Sequence, residues 1–289
     1  MAIFVDEDTR VIVQGATGHQ GRFHIKAMQD FGTKVVAGVT PGKGGEDVHG
    51  VPIYDTVEES MEKEPNTSLI LVPAPFAKDA VMESLDAGIK TIVVVTDCIP
   101  VHDAMEFVHY AIYKKTRIIG PNCPGIASPG KSKVGIIPNT VFMEGSIGVV
   151  SRSGTLTYEI VNSLTENSLG QSTCIGLGGD PVIGTTFIDA LEAFENDAET
   201  KAVALVGEIG GTAEEEAAIY IKKNVTKPVY AYIAGRSAPP RKKMGHAGAI
   251  ISKGEGTAQS KTDALRASGA KVARFPQEIA EMMKNDSII

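Results

Sequence analysis

The hydrophobic positions of the chain fall into short runs of aliphatic residues, separated by segments in which apolar residues recur with helical spacing. Unbroken β-branched runs between helices are typical of parallel strands that are covered on both faces. The first half of the chain is therefore predicted to be a doubly wound α/β domain. Its predicted strands cover residues 9–14, 34–40, 68–73, 91–97 and 117–120, and its predicted helices cover 22–31, 55–64, 77–88 and 104–115.

The second half repeats the alternation and predicts a second parallel sheet. The predicted strands cover residues 146–151, 171–176, 201–207, 228–235 and 271–275, with helices over 156–165, 186–194, 257–268 and 277–284 and another that begins at 213. Residues 121–138 are rich in proline and glycine and lack helical periodicity, so we place the domain boundary near their middle. The predicted domains are 1–128 and 129–289.

A glycine-rich turn joins the first strand to the first helix. Gly15, Gly18 and Gly21 have the spacing G-x-x-G-x-x-G, a relative of the dinucleotide fingerprint. A strand, a glycine turn and a helix in this order form an anion site, because the unpaired N–H groups and the dipole of the helix N-terminus face the ligand. The turn therefore predicts a phosphate site.

The end of the second strand argues against a nicotinamide dinucleotide as the ligand. Such a site needs an acidic residue there to bind the ribose hydroxyls, but the chain has Thr40-Pro-Gly-Lys43. A lysine between glycines suits a phosphate at the ribose end of the ligand. The alternative is that residues 41–45 form an ordinary surface turn.

A single histidine between two glycines stands out in the second half. Gly245 and Gly248 leave His246 accessible, and the preceding strand places it beyond the carboxyl end of a sheet. Arg236 and the basic residues 241–243 lie in the same loop. A largely neutral imidazole can act as a nucleophile, so we interpret His246 as a phosphoryl acceptor. The alternative is a turn in which His246 only bonds to the backbone.

Two further segments point to the same crevice. Glu208 directly follows the predicted strand 201–207. A carboxylate on one imidazole nitrogen fixes the tautomer of the ring and stabilises the positive charge that develops during attack. Ser153, Gly154 and Thr155 follow another strand and open a helix, which repeats the anion-site arrangement. Each segment also has a simpler interpretation as a helix cap.

Composition and charge narrow the class of protein. The formal charge of -7 and the pI near 5.5 argue against general nucleic-acid binding, because no excess of cations exists to replace counterions. Cys98, Cys123 and Cys174 show no paired metal-ligand spacing, so no metal site is expected, and they fit a reducing compartment. No run could span a bilayer and no leader is evident, so we expect no membrane association and a cytoplasmic location, or the mitochondrial matrix for a mature form.

Six blocks of sequence together resemble the α subunits of succinyl-CoA synthetase, also called succinate–CoA ligase. The resemblance covers essentially the whole chain, and the blocks are 11–18 (VIVQGATG), 38–45 (GVTPGKGG), 119–125 (IGPNCPG), 151–158 (SRSGTLTY), 207–211 (GEIGG) and 245–250 (GHAGAI). It implies an α/β fold in which an N-terminal Rossmann-like CoA-binding domain precedes a flavodoxin-like doubly wound parallel-sheet domain. The second domain would carry the phosphohistidine loop.

The resemblance also assigns roles to individual residues. His246 would be the transiently phosphorylated histidine and Glu208 the carboxylate that orients it. Tyr158 would contribute to the carboxylic-acid site, and Ser153 and Gly154 would bind the phosphoryl group. Cys123 would lie near the thiol of coenzyme A. The implied CoA contacts are Thr17, Gly18, His19, Gln20, Lys43, Val95, Thr96 and Asp97, although the family more often has Ser at position 19 and Glu at position 97.

The implied reaction belongs to the tricarboxylic acid cycle and is reversible. Phosphate attacks the thioester of succinyl-CoA, CoA leaves, His246 takes the phosphoryl group from succinyl phosphate, and a nucleoside diphosphate removes it. In the family, Mg²⁺ and ADP/ATP or GDP/GTP bind mainly to a β subunit. A β partner in an αβ or α2β2 assembly is therefore implied.

Three alternatives remain open from the sequence. The chain can be a related NDP-forming ligase subunit that acts on another acid, such as acetate or malate. It can be a non-catalytic CoA-binding module with a regulatory or redox role, although the pair of His246 and Glu208 argues against this. An NAD-dependent oxidoreductase is disfavoured by Lys43 in place of an acid.

Overall fold

The chain divides into two compact units in the computed structural model, which describes residues 2–239, 244–251 and 256–288. The N-terminal unit comprises Phe4–Asn139 and Val182–Gly184, and the C-terminal unit comprises Met1–Ile3, Thr140–Pro181 and Thr185–Ile289. The domain boundary predicted between residues 128 and 129 stays a prediction.

The N-terminal unit alternates strands with helices, as its sequence pattern predicts. Its strands are β1 (Arg10–Gln14), β2 (Lys34–Val39), β3 (Asp47–Val48), β4 (Val51–Tyr54), β5 (Thr67–Ile70), β6 (Thr91–Val94), β7 (Arg117–Ile119), β8 (Gly125–Ser128) and β9 (Ser132–Gly135). Its helices are α1 (His19–Phe31), α2 (Val57–Ser60), α3 (Ala74–Asp86) and α4 (Val101–Lys114).

The main sheet of this unit has the strand order β3-β4-β2-β1-β5-β6-β7. All neighbours in it are parallel except the short β3, which runs antiparallel to β4. Without β3, the order is that of a Rossmann fold, in which the chain leaves the central strand β1 first to one side and later to the other. Val11, Ile12 and Val13 are completely buried, because helices cover both faces of the sheet.

Local chemistry explains where the elements differ from their predicted bounds. The helix predicted over 55–64 is the short α2 followed by a 3₁₀ turn, because Thr56 caps its start and Glu64 adopts a left-handed conformation. Helix α3 begins at Ala74, with Pro75 in its first turn, where a proline loses no hydrogen bond. Pro73 and Pro75 therefore open this helix.

The segment 121–138 contains an antiparallel hairpin of β8 and β9 that its composition did not predict. Gly125 and Gly135 pair across the hairpin, and a Cβ on Gly125 would lie 2.2 Å from the carbonyl oxygen of Val134. Both glycines have positive φ angles, which side chains rarely adopt. The glycines that suggested an irregular linker thus serve a close backbone approach.

The C-terminal unit has its own parallel sheet. Its strands are β10 (Glu144–Ser151), β11 (Gln171–Gly176), β12 (Ala202–Glu208), β13 (Val229–Ala234) and β14 (Lys271–Ala273). Its helices are α5 (Gly154–Glu166), α6 (Phe187–Asn196), α7 (Ala213–Asn224), α8 (Ala258–Ala267) and α9 (Glu278–Asn285). The order β14-β13-β12-β10-β11 is that of a flavodoxin-like fold.

The strand order fixes where a ligand site can form in this unit. The chain leaves β10 toward β11 on one side and later returns to β12 on the other side. The carboxyl ends of β10 and β12 therefore flank the crevice where open α/β sheets bind their ligands. Within the described ranges, no helix is both long and apolar enough to cross a membrane.

We expect Gly21→Ala to destabilise the N-terminal unit by about 1–3 kcal/mol, the usual cost of forcing extra volume into a packed site. A Cβ on Gly21 would lie 2.2 Å from the carbonyl oxygen of Gly15, so α1 would have to move away from the glycine turn. The measurement is the midpoint of urea unfolding. The matched control is Gly18→Ala in the same turn, where the nearest atom to the new Cβ is 3.4 Å away. Equal midpoints for the two variants would contradict this packing.

Candidate active site

His246 lies in a tight turn that follows β13. The N–H of Met244 donates to the carbonyl oxygen of Ala249 at 2.9 Å, and the N–H of His246 donates to that of Met244 at 3.0 Å. Gly245 has a φ of 80°, which allows the chain to reverse direction beside the histidine. The turn holds the backbone of His246 and leaves its imidazole partly exposed.

A hydrogen bond joins His246 to Glu208 at the end of the neighbouring strand. Strands β12 and β13 are paired in parallel, with Glu208 opposite Ala234, so both residues reach the same edge of the sheet. The distance from Nδ1 of His246 to Oε2 of Glu208 is 2.7 Å. A carboxylate accepts, so Nδ1 carries the proton in the neutral imidazole and Nε2 carries the lone pair.

The surroundings of His246 raise its pKa above the ordinary value of 6.5. The hydrogen bond to Glu208 is the largest cause, burial of the ring opposes it, and the charge of Glu208 adds to the rise. Arg152 lowers the pKa and Asp180 raises it, both more weakly. Glu208 thus orients the ring and also stabilises positive charge on it.

Glu208 itself is buried beside a cation. Its other oxygen, Oε1, lies 3.6 Å from Nη2 of Arg152 and accepts no hydrogen bond from the described residues. Arg152 follows β10, is 7% exposed, and donates through Nη1 to Glu214 and to the carbonyl oxygen of Gly210, each at 3.2 Å. The carboxylate on His246 is thus part of a larger buried set of charges.

His246 and Glu208 border a pocket of about 300 Å³. Its lining residues are Ser153, Thr155, Leu156, Glu208, Ile209, Ala234, Gly235, Met244, Gly245, His246 and Ala249. Ser153 caps α5 by accepting the N–H of Leu156, and Gly154 is the first residue of that helix. The first N–H groups of a helix have no partner within it, so this end of α5 offers donors to an anion next to the imidazole.

Gly179, in the loop after β11, forms the surface on which the imidazole lies. A Cβ at this position would lie 2.3 Å from Cγ of His246 and 2.6 Å from its Nδ1. The N–H of Gly248 also donates to the carbonyl oxygen of Gly179 at 3.3 Å. The absence of a side chain at Gly179 therefore makes room for the ring.

The structure brings the glycine turn of the N-terminal unit together with the end of β2. The N–H of Thr17 donates to Oγ1 of Thr40 at 3.3 Å. Gly18 is the N-cap of α1, and His19 is its exposed first residue. Oε1 of Gln20 lies 3.2 Å from Nε2 of His24, whose pKa burial lowers to about 4. Because His24 is neutral, its Nε2–H can hold Oε1 of Gln20, and the Gln20 amide is left as a donor.

Lys43 lies in a loop that Asp55 organises. Oδ1 of Asp55 accepts the N–H groups of Lys43 at 2.9 Å and Gly44 at 2.8 Å. The ammonium of Lys43 is half exposed and lies 2.9 Å from Glu46. The loop therefore presents a half-exposed cation, paired with Glu46, at the same edge of the sheet as the glycine turn.

Val95, Thr96 and Asp97 follow β6 at that same edge. Oγ1 of Thr96 donates to the carbonyl oxygen of Val72 at 2.7 Å, and Asp97 is exposed. Cys123 is buried, and burial raises the pKa of its thiol to about 12. The thiol donates to the carbonyl oxygen of Val94 at 3.3 Å, so it supports the chain around β6 and stays protonated at neutral pH.

Some residues predicted from the sequence belong neither to the pocket around His246 nor to the group around the glycine turn of the N-terminal unit. Tyr158 lies one turn into α5 and is not among the residues that line the pocket. Arg236 donates to the carbonyl oxygen of Ala273 at 2.9 Å. The cations predicted at 241–243 lie outside the described residues. No cluster of His, Cys, Asp and Glu suited to a metal occurs in the part of the chain that the structure describes.

Sequence reasoning missed Arg152, Glu214 and Lys261. Glu214 and Lys261 are completely buried. Each stands on the apolar stripe of its helix, Glu214 in line with Ala217, Ala218 and Ile221 on α7, and Lys261 in line with Ala258 and Leu265 on α8. A charged residue at a core-facing position of a helix was the signal in the sequence that could have identified Glu214 and Lys261.

Models of two protein families match the chain. The CoA binding domain matches residues 6–98, and the CoA-ligase family matches residues 150–271. The first match contains the glycine turn and Lys43, and the second contains Glu208 and His246. The two matches fall on the two groups of residues described above.

Close relatives cover nearly the whole chain. The chain is 58% identical over 284 residues to "Succinate--CoA ligase [ADP-forming] subunit alpha 2" of Archaeoglobus fulgidus, an alignment that covers 98% of this chain and 99% of the relative. It is 54% identical to the subunit alpha of the same name from Staphylococcus aureus, over 98% of this chain and 94% of the relative. Among solved structures, ATP citrate lyase from Methanothrix soehngenii in complex with citrate and coenzyme A aligns with a TM-score of 0.89 and 26% identity, covering 99% of this chain and 52% of that longer chain.

We expect Glu208→Gln to lower the pKa of His246, because the amide keeps the shape of the carboxylate but removes its negative charge. An imidazole NMR titration measures the change. A raised pKa in the folded state gives stability that is present below the unfolded value of about 6.5 and is lost as pH rises through the folded value. The variant should therefore lose less stability than the wild type over that pH range. An unchanged pKa would contradict the assignment of Glu208 as its main cause.

Proposed function

Because the chain belongs to the family of succinate–CoA ligase α subunits, we propose that it passes a phosphoryl group between succinyl phosphate and a nucleoside diphosphate through His246. The ligase couples succinyl-CoA, phosphate and a nucleoside diphosphate to succinate, CoA and a nucleoside triphosphate. The hydrogen bond of 2.7 Å from Nδ1 of His246 to Glu208 carries the proposal, since it leaves Nε2 as the nucleophile.

The first half of the proposed reaction forms the acyl phosphate. An oxygen of phosphate attacks the thioester carbonyl of succinyl-CoA, the C–S bond breaks, and CoA leaves as its thiol after taking up a proton. The contacts that hold CoA are Thr17, Gly18, His19, Gln20, Lys43, Val95, Thr96 and Asp97, which follow three strands at one edge of the N-terminal sheet. Helix α1 and Lys43 supply positive potential to its phosphates.

The second half transfers the phosphoryl group twice. Nε2 of His246 attacks the phosphorus of succinyl phosphate, a P–N bond forms, the P–O bond to the acyl group breaks, and succinate leaves. The ring gains positive charge during attack, and Glu208 stabilises it through Nδ1–H. The N-terminus of α5, with Ser153 and Gly154, binds the phosphoryl oxygens. An oxygen of the nucleoside diphosphate then attacks the phosphorus and the P–N bond breaks.

The names of the relatives extend the proposal to partners. They are α subunits, which implies a β subunit in an αβ or α2β2 assembly, and they are described as ADP-forming. We propose that ADP is the acceptor here as well, bound with Mg²⁺ mainly by the β subunit. Tyr158 does not line the pocket beside His246. We propose that it contributes to the binding of the carboxylic acid.

We expect His246 to become phosphorylated when the chain, in complex with its β partner, is incubated with ATP and Mg²⁺. Intact mass should show the gain of one acid-labile phosphoryl group. His246→Asn should abolish this gain, because Asn has no nucleophilic nitrogen of comparable strength. His102→Asn, at an exposed position of α4, is the control and should keep it. No labelling of the wild type with ATP or GTP would overturn the proposed function.

We expect Lys43→Ala to weaken CoA binding by about 1 kcal/mol, or roughly fivefold in Kd, as is typical of an exposed charge–charge contact. Calorimetric titration at low and high salt measures it, and the loss should shrink at high salt. The control is Lys90→Ala, an exposed lysine just before β6 at the opposite edge of the sheet. Equal losses for both variants, or NADH binding in place of CoA, would contradict the site.

A further inference from the structure

A chain of buried charges extends from Glu208 into the core of the C-terminal unit. Arg152 lies next to Glu208, Glu214 accepts from Arg152, and Nζ of Lys261 donates to Oε2 of Glu214 at 2.5 Å. Lys261 also donates to the carbonyl oxygen of Gly211 and to Oε2 of Glu215, each at 2.9 Å. The three donors of the ammonium are thus all used.

Glu214 links this chain to the backbone that carries Glu208. Its Oε1 accepts the N–H of Glu208 at 3.1 Å in addition to Nη1 of Arg152 at 3.2 Å. One buried carboxylate therefore fixes the end of β12 and the guanidinium beside the Glu208 side chain. Any displacement of Glu214 would move both.

Small residues make room for this arrangement. A Cβ on Gly207 would lie 2.6 Å from Cγ of Glu214, and a Cβ on Gly248 would lie 3.0 Å from Nη2 of Arg152. Gly207 and Gly248 thus leave space for the charge network, and Gly179 leaves space for the imidazole of His246. The backbone is shaped around these polar groups as tightly as a core is shaped around apolar ones.

The balance of charge suits the state in which His246 is positive. Glu208, Glu214 and Glu215 carry three negative charges, against two positive charges on Arg152 and Lys261. Asp180 also faces His246, so the group carries a net negative charge that a positive imidazole reduces. Buried ion networks of this kind are weak sources of stability, so their presence next to a reactive group calls for another role.

Resting on the proposed function, we propose that Lys261, Glu214 and Arg152 are positioning residues. They hold Glu208 with one oxygen on His246 and the other beside a guanidinium, and they set how much of the negative charge of Glu208 acts on the imidazole. The charged groups that face His246 in the described residues are Glu208 at the end of β12, Arg152 after β10 and Asp180 after β11. Arg152 is the one through which Glu214 and Lys261 act.

This arrangement predicts opposite effects of two neutral substitutions. In Glu214→Gln, Arg152 loses its partner carboxylate and interacts more strongly with Glu208. Less of the negative charge of Glu208 then acts on the imidazole, so the pKa of His246 should fall. In Lys261→Met, Glu214 loses its hydrogen bond from the Lys261 ammonium and attracts Arg152 away from Glu208. More of the negative charge of Glu208 then acts on the imidazole, so the pKa of His246 should rise. In both variants kcat should fall on the order of 10- to 100-fold, because a lowered pKa makes the imidazole a weaker nucleophile and a raised pKa leaves it protonated more often, while KM for the nucleotide stays unchanged.

The experiment is an NMR titration of His246 in the complex with the β partner, together with steady-state kinetics. Glu216→Gln is the matched control, an exposed acid in the same turn of α7 that accepts from Thr212 and is outside the network. It should leave both the pKa and kcat unchanged. If either single variant does not fold, the double variant Glu214→Gln/Lys261→Met removes both buried charges and should show the lowered pKa.

The outcomes separate this proposal from the proposed function. Shifts of opposite sign in the two single variants, together with a lowered pKa in the double variant, support the positioning role, because the direct effects of the two lost charges would largely cancel in the double variant. Shifts of the same sign, or no shift, would overturn it even if the wild type is phosphorylated normally. A wild type that takes no phosphoryl group would instead overturn the proposed function, whatever the titration shows.

Discussion

The candidate active site of the C-terminal unit depends on keeping a carboxylate buried next to an imidazole. Removing a charge from water is costly unless partners compensate it, and the carboxylate of Glu208 is buried. Arg152 and the hydrogen bond from His246 provide that compensation at 3.6 Å and 2.7 Å. The strand order, the glycines and the buried network can each be understood as conditions for this pair.

The two units place polar residues by the same rule. In each unit, the central strands of the sheet run parallel and the chain leaves one of them toward both sides, so loops from several strands meet at one edge. The N-terminal unit uses this edge for a glycine turn and Lys43, and the C-terminal unit uses it for Ser153, Glu208 and His246. One topological feature, used twice, thus positions both the proposed anion site and the proposed nucleophile.

Sequence patterns predicted the parts of the fold that depend on local alternation. Apolar runs identified the parallel strands, and strand ends identified Glu208 and His246 as candidates for one crevice. The hairpin of β8 and β9 was missed because its pairing depends on a backbone approach at Gly125 that composition does not encode. Glu214 and Lys261 were missed because their contact depends on how α7 packs against α8, which the periodicity of either helix alone does not specify.

The buried network also affects how the stability of the C-terminal unit should depend on temperature. The hydration of charged groups becomes less favourable on heating, so the cost of burying Glu214 and Lys261 decreases, whereas the stabilisation from apolar burial levels off. The net contribution of these buried charges to the stability of the unit should therefore become more favourable on heating.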